Sequence, residues 1–149
     1  MRMAAMLLII ATACSAGKDP VIPEDAVWYN PAVGDSCERF VAVEEAVHEG
    51  ESAVPEGLLL PGNLELVGAV EDRKESTTLF RVLGDFEEAE SFLKTDLSKS
   101  SWSDGGWGGG EDPLGRFVSV NLTGWGRGDV TLVECQGDAA ILVSVEKRN

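Results

Sequence analysis

Residues 85–100, DFEEAESFLKTDLSKS, carry the strongest local signal in the chain. Phe86, Ala89, Phe92, Leu93 and Leu97 recur at three- and four-residue spacing, which gathers them into one apolar stripe of an α-helix. Asp85 and Glu88 have the spacing of a capping box, in which the Asp oxygen accepts the amide hydrogen of residue 88 and the glutamate bonds back to the cap. Glu87 and Glu88 then face the positive end of the helix dipole, and Lys94 and Lys99 the negative end. A helix with one apolar face needs another layer to cover it, so the flanking segments decide the fold class.

On the C-terminal side, residues 103–113 (SDGGWGGGEDP) read as a flexible glycine-rich loop. Beyond it, residues 116–123 (RFVSVNLT) alternate, with Val118, Val120 and Leu122 on one face, and residues 130–135 and 139–145 supply two more β-rich runs. Glycine-bearing turns at 124–128 and 136–138 separate them. On the N-terminal side, residues 64–72 and 77–83 form a hairpin around a polar connector. Residues 37–49, capped by Asp35 or Ser36, fit a short helix, although RFVAV at 39–43 fits a strand as well. The expected architecture is α+β: a single antiparallel sheet of about five strands, one main amphipathic helix and a second short helix, the helices on one face.

The run from residue 78 to Trp102, with Phe92, Leu97 and Trp102 in sequence, resembles an element of small bacterial envelope lipoproteins: strand, acidic cap, helix and closing tryptophan. Ser101 stands where such sequences often carry Gly. The resemblance implies an anchored α+β module and no particular substrate.

The leader points the same way. Met1-Arg2 is a short positive start, residues 3–10 (MAAMLLII) are apolar, and Ala11-Thr12-Ala13 supplies small residues. That is the three-part layout of a signal peptide, and the apolar run is far short of the roughly 20 residues of a membrane span. Cys14 follows at once, which resembles the lipobox of bacterial lipoproteins, with Ala11 where the family usually has Leu. The resemblance implies cleavage before Cys14 and lipid on its thiol. Ala11-x-Ala13 also fits an ordinary signal-peptidase site, which would release a soluble exported protein. Residues 1–13 are thus read as signal peptide, 14–34 as lipidated cysteine and extended tether with Pro20, Pro23 and Pro31, and 35–149 as a globular domain.

The chain has three cysteines. Lipidation would remove one, leaving Cys37 and Cys135 as an even pair for a disulfide in an oxidising compartment. Two buried free thiols are the other reading. No Cys-x-x-Cys spacing suggests zinc.

Charge narrows the function. With 26 Asp and Glu against 12 Lys and Arg, the formal charge is −14, and cleavage before Cys14 would remove Arg2 and make it −15. Such a chain lacks the clustered cations that a nucleic-acid surface requires. His48, the single histidine, lies among glutamates and has no evident partner for base chemistry. The adjacent carboxylates Glu44-Glu45, Glu71-Asp72 and Glu111-Asp112 could in principle act as the acid and base of a glycosidase, but adjacent carboxylates are far commoner as solvated surface. The glycines at 105–110 lack the Lys-Ser/Thr of a phosphate loop. Asp104, Glu111 and Asp112 could hold one calcium ion with loop carbonyls. Trp102 is expected in the core. Trp107 and Trp125, framed by glycines, are candidates for stacking on a sugar or filling a partner pocket, with packing on the sheet edge as the alternative. No cofactor or resident metal is called for. The sequence thus suggests a membrane-anchored binding module, meeting a basic envelope protein such as a wall-degrading enzyme, or a glycan. The alternative is a small envelope enzyme that uses carboxylates only.

Overall fold

In the computed structural model, which describes residues 30–124 and 126–147, the first element is set by its own first two residues. The Asn30 side chain accepts the amide hydrogen of Ala32 at 3.0 Å, and Pro31 occupies the first helical position, where its missing N–H costs nothing. Helix α1 therefore spans Pro31–Ala46. The expected cap at Asp35 or Ser36 is replaced by one five or six residues earlier, and residues 31–34 belong to the helix instead of the tether. The expected signal peptide at 1–13, Cys14 and the part of the expected tether as far as residue 29 lie outside the described residues, as does Trp125.

After α1 come strands β1 (His48–Glu49), β2 (Leu64–Glu71) and β3 (Glu75–Val82), helix α2 (Phe86–Thr95) with a 3₁₀ turn at Leu97–Lys99, and strands β4 (Ser103–Asp112), β5 (Gly115–Thr123), β6 (Arg127–Cys135) and β7 (Asp138–Glu146). They form one sheet of order β1-β2-β3-β7-β6-β5-β4, antiparallel throughout. The α+β class and the single antiparallel sheet stand, but there are seven strands instead of about five. β1 is too short for a periodic signal. It pairs at Ala69 and Gly68, where a Cβ on Gly68 would lie 2.3 Å from the His48 carbonyl oxygen, so only glycine admits the contact. The larger correction is β4. The expected mobile loop at 103–113 is an edge strand, because Asp112-Pro113-Leu114-Gly115 is a tight turn that folds it back on β5. Asp112 Oδ1 accepts the amide hydrogens of Leu114 at 2.8 Å and Gly115 at 3.2 Å, and proline occupies the second turn position.

The helices do not share a face. Val118, Val120 and Leu122 of β5, Val130 and Leu132 of β6, and Ile141 and Val143 of β7 pack under Phe86, Ala89 and Leu93 of α2, with Leu97 and Trp102 beyond it. Val133, Ala140 and Leu142, which alternate with them, meet Phe40, Cys37 and Val43 of α1 on the other side. Contiguous apolar residues on β6 and β7 send side chains both ways, so both faces need cover. Each fully buried Val or Leu contributes roughly 1.5–3 kcal/mol.

Two further ties hold α1. Cys37 and Cys135 are joined by a disulfide, with Cα atoms 5.8 Å apart. Arg39 reaches across the polar half of the same face, donating to both Asp129 carboxylate oxygens at 3.0 and 3.3 Å and to the Ser144 hydroxyl at 2.5 Å. The bridge closes a loop of 98 residues, for which the chain-entropy account gives about 4 to 5 kcal/mol as an upper figure. Reduction should lower the melting temperature and release α1 first, because only Val33 and Phe40 of that helix are buried. Melts with and without reductant, with amide exchange along α1, check this. Thiols that react with alkylating agent in the unreduced native protein would contradict the bridge.

Candidate binding groove

Helix α2 covers the centre of its face and stops short of the sheet edge. Phe86, Glu90 and Lys94, spaced by one turn, form one wall of an open groove of about 730 Å³. Trp107 and Glu111 of β4 form the other, with Gly109 and Val118 between them. Trp107 is opposite Val120, Gly109 opposite Val118 and Glu111 opposite Arg116, so these residues share the α2 face of the sheet. Gly109 brings no side chain to the floor, which keeps the groove open.

Arg116 organises the end nearest Phe86. Its guanidinium carbon lies 4.0 Å from the Phe86 ring centroid. It donates to Glu87 Oε1 at 2.7 Å and to Glu134 Oε1 at 3.0 Å. The hydrogen bond from Arg116 holds the Glu87 carboxyl below its ordinary pKa. The same contact raises the arginine's own. The expected capping box is not formed. Asp85 is the N-cap but makes no side-chain cap bond, and the first-turn carboxylate that finds a partner is Glu87, on the sheet. Further along α2, Lys94 donates to Glu90 at 2.5 Å.

The structure separates the residues that the sequence grouped as candidates. Trp107 is 40% exposed on the groove wall, whereas Trp102 is 4% exposed, with its indole N–H on the Glu56 carbonyl at 3.3 Å. His48 lies exposed on β1, the opposite edge of the sheet. The three carboxylate pairs are dispersed. Glu44 and Glu45 lie on α1. Glu71 bonds to Lys147 at 2.9 Å, and Asp72 caps its own turn by accepting from the amides of Lys74 and Glu75. The calcium reading of Asp104, Glu111 and Asp112 is corrected. Asp104 and Asp112 lie near opposite ends of one ten-residue strand, and both Asp112 oxygens are taken, one by the turn and the other by the Asn30 amide at 2.8 Å. No group of three metal-ligating side chains occurs among the described residues. Sequence reasoning missed Phe86, Glu90, Lys94 and Arg116 as groove residues. The cue available was the α2 stripe at 86, 90 and 94, which continues past the residues needed for the core.

The chain matches no family model, no curated protein and no solved structure. Among the described residues no helix is long and apolar enough to cross a membrane.

Two outcomes follow from this geometry. Trp102→Ala should cost about 3–5 kcal/mol, as for other buried tryptophans, while Trp107→Ala should cost less than about 1 kcal/mol. Chemical denaturation of the two variants checks the contrast. Stability should also fall in acid. The carboxyls of Glu71, Asp72, Glu87 and Asp96 are held below their ordinary values, chiefly by hydrogen bonds from Lys147, from the backbone at Lys74, from Arg116 and from Lys99 respectively. A folded pKa below the unfolded one gives stability that is complete above the unfolded value, 4.5 for Glu. It is lost as pH falls through the folded value. Glu87→Gln should shrink that acid loss, as read by denaturant midpoints measured across the range.

Proposed function

We propose that this chain is an exported, lipid-anchored acidic module of the bacterial cell envelope that binds a basic partner protein through the groove between α2 and β4. The observation that carries the reading is the groove itself, where an exposed tryptophan faces a charged helix across a glycine floor. Aromatic anchors in a partly desolvated cleft supply much of the binding energy of protein interfaces. The surrounding charge supplies the attraction. A chain of net −14 draws a cation from beyond a Debye length of about 8–10 Å, and the groove sits within that field. The three-part leader, the lipobox-like Cys14 and the Cys37–Cys135 bridge support export, since disulfides persist in oxidising compartments. Lipid at Cys14 would hold the module to the membrane, because two or more acyl chains anchor stably at ~0.8 kcal/mol per buried methylene.

A glycan is the second reading. Trp107 offers a flat apolar face, and Glu90, Glu111 and Arg116 offer hydrogen-bonding groups beside it. Salt separates the two, because capture of a cationic protein weakens steeply with ionic strength and stacking on a neutral sugar does not.

Crosslinked pull-down from native envelope tests the proposal. Trp107→Ala should weaken capture with little change in melting temperature, His48→Ala should leave capture intact, and Cys14→Ser should release the protein from the membrane fraction or leave it unprocessed. Intact mass showing an unmodified thiol at an N-terminal Cys14 would overturn the anchor. Undiminished capture by Trp107→Ala would overturn the groove.

A further inference from the structure

The outer wall of the groove is also the edge of the sheet. Among the described residues β4 pairs on one side only, with β5. A row of backbone N–H and C=O groups at an edge templates another strand, and folded proteins blunt such edges by shortness, charge or cover. The edge at β1 is blunted, since that strand has two residues. β4 has ten, and its sequence from Gly108 runs through three successive glycines before Glu111 and Asp112. Gly108 adds no side chain to either face, and a Cβ there would meet nothing within 4 Å, whereas, two residues on, the Asn30 side chain at the start of α1 lies against Gly110.

Resting on the groove as the binding surface, we propose that β4 receives an extended, lysine- or arginine-bearing peptide segment of the partner as an eighth strand of the sheet. Main-chain hydrogen bonds from Gly108 to Asp112 would supply affinity, and alternate side chains would supply specificity. Side chains of an added strand on the α2 face fall beside Trp107, Gly109 and Glu111, at the mouth of the groove. The charge there selects cations. Lys94 is paired with Glu90, and Arg116 with Glu87 and Glu134, whereas Glu111 makes no ion pair with the described residues. The lining itself is balanced, Glu90 and Glu111 against Lys94 and Arg116, and the two further carboxylates on Arg116, Glu87 and Glu134, make the groove and its rim net negative.

Net charge argues against a second copy, since each carries −14.

The probe is a short peptide of alternating lysine and valine, titrated into the isotope-labelled full chain in detergent. Two N-methylated forms accompany it, one methylated on every lysine and one on every valine. Both keep the charge and the side chains. A strand presents its N–H groups alternately to its two edges, so only one of the two methylation patterns removes the donors that face β4. That form should bind about tenfold more weakly or worse, while the other is spared. Amide exchange at residues 108–112 should slow in the complex, and Glu111→Gln should weaken the unmethylated peptide by a few-fold. Equal behaviour of the two methylated forms overturns strand addition, as does slowing confined to residues outside β4. Slow exchange at 108–112 in the free chain, unchanged by peptide, also overturns it. In that case the edge is already filled, by a second copy if light scattering finds a dimer and by this chain's own N-terminal residues if it finds a monomer. Loss of envelope capture in Trp107→Ala together with indifferent methylation overturns strand addition while keeping the groove. Methylation-sensitive binding that Trp107→Ala leaves untouched removes the groove reading and, with it, the proposal as stated.

Discussion

Everything in this molecule depends on the burial of β7 and β6 from both sides. Residues 140–144 of β7 and 130–133 of β6 are all buried. A strand apolar on both faces is stable only between two layers, so the chain must place a helix above and another below. Its two solutions differ. α2 is an amphipathic helix held by Phe86, Ala89 and Leu93. α1 buries only Val33 and Phe40 and relies on a covalent bond and on Arg39 for the rest.

The groove is a by-product of the same arrangement. Seven strands at about 4.8 Å spacing make a sheet roughly 29 Å wide, while a helix with its side chains is about 10–12 Å across. One helix on a face leaves a flank uncovered. Most sheets would fill that flank with side chains, but β4 brings five glycines to it. What remains is a trough walled by Phe86 and Trp107 and edged by Glu90, Lys94, Glu111 and Arg116. Arg116 lines this trough while joining α2 to the sheet, much as Arg39 joins α1 to the opposite face.

Legibility in the sequence followed the strength of local pattern. The α2 stripe, the β2–β3 hairpin and the β5–β7 meander each bury one regular set of side chains and are readable as elements, although β6 begins three residues before the run at 130–135 and α2 gives way to a 3₁₀ turn after Thr95. The Cys37–Cys135 pair was readable from parity once Cys14 was assigned to lipid. What failed is equally physical. Glycines carry no periodicity, so β4 reads as loop, although the Asp112-Pro113-Leu114-Gly115 turn implies a partner for β5. The placement of both helices on one face was contradicted by the unbroken runs TLVEC and AAILV, which a one-sided sheet would not tolerate. The groove itself could not be seen at all, since it arises between α2 and β4, elements eight or more residues apart that meet only through the fold.

The disulfide has a mechanical consequence as well. Tension that reaches Asn30 along the chain can peel away only the six residues from Pro31 to Ser36 before the load comes to Cys37. From there it passes through the covalent bond to Cys135, at the end of β6. The force is thus delivered beside the middle of the sheet, and the segment between the two cysteines, which are 98 positions apart, cannot be drawn out by a pull at the two chain ends. A load held at β4 would instead pull across the strands, along the hydrogen bonds of the β6–β5 and β5–β4 ladders, which stand perpendicular to the strands.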